Sequence, residues 1–121
     1  MRNQVSLSGE PPVRCQRCGR RLRAAQSVAA SLGPGCRARI RAAALSDALR
    51  AWTGQQIDKA LELITDKGIV RAGMAGVFRT VSSDGQSCYL SAATGCNCRA
   101  GLNGRRCYHT AAVVILLARE V

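Results

Sequence analysis

Seven cysteines and a single histidine are the residues of this 121-residue chain whose types and spacing could do chemistry. Cys96-Asn97-Cys98 and Cys107-Tyr108-His109 form two close pairs with eight residues between them. Three sulfurs and one imidazole nitrogen are donors that zinc prefers, and together they complete a tetrahedron. A closed shell has no position for an activated water, so the expected ion is structural. The intervening loop contains Gly101, Asn103 and Gly104 and can turn sharply. Upstream, Cys15-Gln16-Arg17-Cys18-Gly19 is a knuckle sequence, in which Gly19 permits the turn that aims both sulfurs at one ion. Cys36 follows Gly33-Pro34-Gly35, which places it in the first turn of a helix. The cysteine count is odd and no apolar leader opens the sequence, so disulfides fit poorly and a cytoplasmic location is expected.

Seven thiols and one imidazole make eight donors, enough for two tetrahedral zinc ions per chain. If His109 belongs to the C-terminal set, the N-terminal set of Cys15, Cys18 and Cys36 lacks a fourth member. Cys88 is the cysteine left over. Reaching across from a strand, it would close a site of four thiolates and clasp the first finger to the second. Alternatively, Cys88 is a small buried strand residue. The site is then completed by Asp47, water or backbone, or holds no metal.

The same inventory argues against an enzyme. The single imidazole is a proposed ligand, the carboxylates are few, and Cys88 has no visible activating base. No small-molecule substrate is expected. The charge points elsewhere: 18 Lys and Arg against 7 Asp and Glu give a formal net charge of +11. Arg17, Arg20 and Arg21 surround the knuckle, Arg37 and Arg41 follow Cys36, and Arg99, Arg105 and Arg106 decorate the C-terminal loop. Arginine makes bidentate phosphate contacts, so nucleic acid is the expected partner. With aromatics at 3% of the chain, no platform for stacking single strands is evident, which favours duplex DNA. A protein partner gripped by the fingers is the alternative. No run approaches the roughly 18 apolar residues of a membrane span, so no membrane is expected.

Several elements must position these residues. Residues 1–13 read as a flexible polar tail, and residues 14–52 as the first finger followed by a basic helix. That helix runs from Arg37 to about Trp52, with Ile40, Ala44, Leu45, Ala48, Leu49 and Trp52 near one face, unless Ser46-Asp47 divides it. In residues 53–76, Thr53 caps a helix from Gly54 to about Lys67 with Ile57, Ala60, Leu61 and Ile64 as its apolar face, and Gly68 stops it. Its charges sum to −1, which suits packing better than entry into a DNA groove. In residues 77–121, Tyr89-Leu90-Ser91 is strand-like ahead of the C-terminal ligands, and a helix follows His109. The expected fold is a small α+β zinc-stabilised domain.

Cys-x-Cys-x8-Cys-x-His before an Ala-rich helix resembles a SWIM zinc finger, over about Val77 to Leu117; in that resemblance Val77–Val81 and Cys88–Ser91 stand as the two strands of a hairpin turning at Ser82-Ser83-Asp84-Gly85. The resemblance implies a zinc module that binds DNA or other proteins. The knuckle, short hairpin and helix-start cysteine resemble a treble-clef finger. Their wording also resembles a small uncharacterised family with the pattern Cys-x-x-Cys-Gly-Arg-x-Leu…Ser…Gly-x-Gly-Pro-x-Cys. Ser31 stands where that pattern has its first Gly.

Overall fold

A computed structural model describes residues 13–118. The expected tail, residues 1–13, lies outside the described residues except for Val13. The first finger begins as a minimal hairpin: Cys15 N–H donates to the Arg20 carbonyl at 2.8 Å and Leu22 N–H to that of Val13 at 2.9 Å. Gly19 turns between them at φ +79°. A six-residue helix that the sequence reading lacks follows, α1 (Ala25–Ala30). It ends at Ser31, whose φ of +59° is left-handed and whose carbonyl accepts the Gln16 N–H at 2.9 Å. The end of α1 is thereby tied back to the knuckle.

Gly33 and Pro34 start α2 (Pro34–Ala44), where proline's missing N–H costs nothing. This helix stops well short of Trp52. Ser46 Oγ donates to the Ala43 carbonyl at 2.7 Å and accepts the Ala48 N–H at 3.3 Å. That local pairing competes with helix continuation and starts a 3-10 turn, Asp47–Leu49. Leu45, expected on the apolar face, is consequently 90% exposed, while Leu49 is buried.

In α3 (Gly54–Thr65), Thr53 and Gln56 form a reciprocal capping box at 3.1 and 2.9 Å. Ala60, Leu63 and Ile64 are its buried residues. Leu63 was not among the expected ones. The left-handed position after the helix belongs to Lys67, at φ +60°, and not to Gly68. Gly68 answers a different need: a Cβ there would stand 2.6 Å from Leu63 Cδ1 and 2.8 Å from Val81 Cγ2.

Four short strands form an antiparallel sheet in sequence order: β1 (Ile69–Arg71), β2 (Phe78–Val81), β3 (Cys88–Ala92) and β4 (Gly95–Cys96). The register pairs Phe78 with Ser91, Val81 with Cys88, and Ser91 with Cys96. The pleat sends Phe78, Thr80 and Ser91 into the core and leaves Arg79, Cys88 and Leu90 outside. After a single turn, α4 (Arg99–Leu102), the chain enters α5 (Tyr108–Leu117). Seven of its ten residues are buried, because α3, β3 and α2 all pack against it. Cys15 and Leu32 of the first finger share one continuous core with Ile40, Phe78, Val113 and Ile115. Among the described residues, no helix is long and apolar enough to cross a membrane.

Candidate metal centres

β4, α4 and the start of α5 bring Cys96, Cys98, Cys107 and His109 together, their donor atoms all within 4.8 Å of one another. The histidine is set for one role. Its Nε2 lies 3.0 Å from the Val81 carbonyl, which can only accept, so Nε2 carries the proton. Nδ1 is then a bare lone pair, buried and without any hydrogen-bond partner. A buried acceptor without a donor is costly unless something else occupies it, and a cation meets that need. Tyr108 and Tyr89 flank the imidazole, with ring centroids at 4.2 and 5.4 Å.

The thiols receive donors of their own. Cys98 N–H points to Cys96 Sγ and Gly101 N–H to Cys98 Sγ, both at 3.4 Å. A side chain on Gly101 would collide with the Cys96 carbonyl, so the loop closes only around a glycine. Ser91 Oγ donates to Cys96 Sγ at 3.1 Å and is itself paired with Thr80 Oγ1 at 2.9 Å. Burial pushes the Cys96 thiol up to about 12, against the lowering effect of Ser91 and the Cys98 N–H. Without a cation this pocket therefore holds a protonated thiol, and a bound ion must displace that proton. Trp52 Nε1 donates to the Cys107 carbonyl at 3.1 Å and to Thr110 Oγ1 at 3.2 Å, which pins the start of α5. Asn97, between two ligands, accepts the Leu90 N–H at 2.9 Å and ties that turn to β3. Of these supports, sequence spacing identifies none; they depend on which residues the sheet places side by side.

The knuckle and the first turn of α2 bring Cys15, Cys18 and Cys36 within the same 4.8 Å limit. Burial raises the Cys15 thiol, but the N–H groups of Cys18, Gly33 and Arg17, with Cys36, outweigh it and bring it down to about 7. Burial, then Cys15, pushes Cys36 up to about 11, against Arg17. A cluster of unlike thiols leaning on knuckle N–H groups suits a cation. Among the described residues no fourth Cys, His, Asp or Glu joins it.

Residues 5–41 match a family of unknown function, DUF6011. That match contains this three-cysteine cluster and ends before the sheet. No curated protein and no solved structure matches the chain.

The proposed clasp through Cys88 is corrected by the geometry. Cys88 stands exposed at the start of β3, on the same outward side as Leu90. The knuckle docks instead at the edge strand β1. The Arg71 guanidinium of β1 donates to the Arg17 carbonyl, and Arg17 Nη2 donates to the Ala118 carbonyl at 2.7 Å. These contacts and the shared core join the two centres.

The arginines divide into two groups. Arg17, Arg20 and Arg21 line a cavity beside the N-terminal cluster. Arg99 and Arg106 line another beside Cys98, Cys107 and His109, together with Lys59. Arg106 also lies over the Trp52 ring at 5.7 Å, and Arg105 is exposed near it. Arg37 is half-buried and Arg41 exposed along α2. Arg17 is largely committed to holding the chain together, which makes it the least available of the eight.

Proposed function

We propose that the chain is a non-enzymatic module stabilised by zinc, with a SWIM-type C-terminal finger and a treble-clef-like N-terminal finger, which binds duplex DNA through the arginines around both centres. The observation that carries the reading is the convergence of two cysteine clusters, each opening onto a surface of basic side chains. The thiols and Nδ1 would hold the ions, whose contribution is to fix loops that a small core cannot. Arg20, Arg21, Arg99, Arg105 and Arg106 then present rigidly placed guanidinium groups to backbone phosphates. Catalysis has no support in the C-terminal centre, since four protein donors leave an ion there no open position and both ring nitrogens of His109 have partners or ligand roles.

The test is metal analysis followed by duplex binding at several salt concentrations. Two zinc ions per chain and an affinity that falls steeply with salt are expected. Replacing Arg105 and Arg106 together by Ala should flatten the salt dependence by about one unit of slope per lost phosphate contact. A two-zinc protein without duplex affinity at low salt overturns the DNA reading. A second reading, a protein-interaction adaptor, is favoured by one observation. Leu90 and Leu102, 50% and 75% exposed, flank a groove with Val77 and Ala92 that duplex DNA would not need. A stoichiometric partner that survives nuclease treatment would select it.

A further inference from the structure

We propose that the N-terminal centre is an open one: an ion held by Cys15, Cys18 and Cys36 keeps a fourth position for an oxygen of a phosphate group seated in the adjoining arginine pocket. This rests on the reading of that cluster as a metal site, and goes beyond it in naming an exchangeable ligand.

Three observations carry it. The described residues offer three donors where a tetrahedral ion takes four. The three cysteines themselves form part of the wall of a cavity of about 740 Å³, so whatever enters the cavity meets them. Among the described residues, the charged members of that wall are Arg17, Arg20, Arg21, Arg23 and Arg39, with no carboxylate. Arg20, Arg21 and Arg23 line this concavity together, and an anion between them relieves their mutual repulsion. Three thiolates on a divalent ion leave a charge of −1, which answers only part of that surplus.

The choice of phosphate follows from the donors. Guanidinium groups offer paired N–H bonds at the spacing of phosphate oxygens. Arg17 donates toward Cys36 Sγ at 3.7 Å, yet its Nε is buried with no acceptor. Gly33, Pro34 and Gly35, at the start of the eleven-residue α2, complete the wall and add the positive end of a helix. A thiolate from elsewhere would satisfy the metal but offer no oxygen to Arg17 Nε. The phosphate is either a free monoester or a phosphodiester of a nucleic-acid backbone, and the pocket chemistry is common to both.

The full chain loaded with Co²⁺ reports on each part, because cobalt's visible spectrum changes with its ligands. Two cobalt ions per chain are expected. Inorganic phosphate, titrated against chloride at equal ionic strength, should change one set of bands saturably. The response should vanish in Cys36→Ser, which keeps the other centre, and weaken at least tenfold in Arg20→Ala/Arg21→Ala. A short DNA duplex that produces the same change identifies a backbone phosphodiester as the source, and a response to phosphate alone identifies a monoester. Two cobalt ions with bands that phosphate leaves unmoved, or moves no more than chloride does, overturn the inference, since the fourth ligand then comes from the chain. A single cobalt ion in the parent, still present in Cys36→Ser, overturns instead the metal reading beneath it.

Discussion

Replacing Ser91 by Ala should weaken metal binding at the C-terminal centre far more than so small a change suggests. The side chain is 1% exposed and its Thr80 neighbour 0%, so water cannot substitute for either hydroxyl. Ser91 accepts from Thr80 and passes its own proton to Cys96 Sγ. Two costs follow. The fold loses a buried hydrogen bond and strands the Thr80 hydroxyl, about 1–3 kcal/mol. The thiolate loses a donor that favours ionisation, and burial already holds that thiol at about 12. Outer-shell losses of this kind reduce metal affinity about 10–100-fold. The two costs separate in the double variant Thr80→Val/Ser91→Ala, where no hydroxyl is stranded. Part of the stability should return while the metal affinity does not. His109 is the single histidine, so its ring resonances follow this centre alone during a chelator competition. Urea unfolding of the metal-free chain gives the stability term. A zinc affinity for Ser91→Ala within twofold of the parent would refute the reasoning and reduce Ser91 to an ordinary core hydroxyl.

Metal uptake should tighten with pH at both centres, because protonated thiols compete with the ion. At the N-terminal centre, Cys15 at about 7 stops contributing to the slope above neutrality, while Cys36 at about 11 continues to do so. Calorimetry in buffers of different ionisation enthalpy should show the protons released falling by about one across pH 7. Ser31→Gly should stabilise the first finger by roughly 0.5–1 kcal/mol, because a left-handed φ strains any side chain and glycine gives back part of that gain in entropy. Urea midpoints at fixed free metal check it, and a loss of stability would mean that the Ser31 side chain holds the end of α1.

The parts of the molecule that were legible in the sequence are those governed by near neighbours. Thr53 and Gln56 cap each other within one turn, Gly33-Pro34 opens α2, and each ligand pair is separated by one or two residues. The hairpin strands are legible from the family pattern that the C-terminal ligand spacing resembles, which puts them directly ahead of Cys96. What was not legible depends on pairing between distant segments. Ser91 and Thr80 read as ordinary strand hydroxyls until the register sets them as diagonal neighbours, with Ser91 directly opposite Cys96. The Val81 carbonyl that orients His109 has no sequence signal at all. The helix α1 has no capping side chain and is six residues long, too short for periodicity to declare it.

Counting donors misled for a related reason. Eight donors divide neatly into two sets of four, and only that remainder argues for Cys88 as a ligand over Cys88 as a strand residue. A ligand set is decided by place, and the pleat that carries Ser91 inward to Cys96 carries Cys88, three residues earlier, outward. One strand thus serves the C-terminal centre with a buried hydroxyl and withholds its thiol from the N-terminal one. A one-residue slip of β3 would reverse both, turning Leu90 inward and Ser91 outward and breaking the buried Ser91–Thr80 hydrogen bond. The loss of that bond opposes the slip, because Thr80 is 0% exposed and its hydroxyl would be left without a partner. The same hydroxyl pair therefore keeps Ser91 beside Cys96 and Cys88 on the outer face, away from the three thiols of the N-terminal cluster.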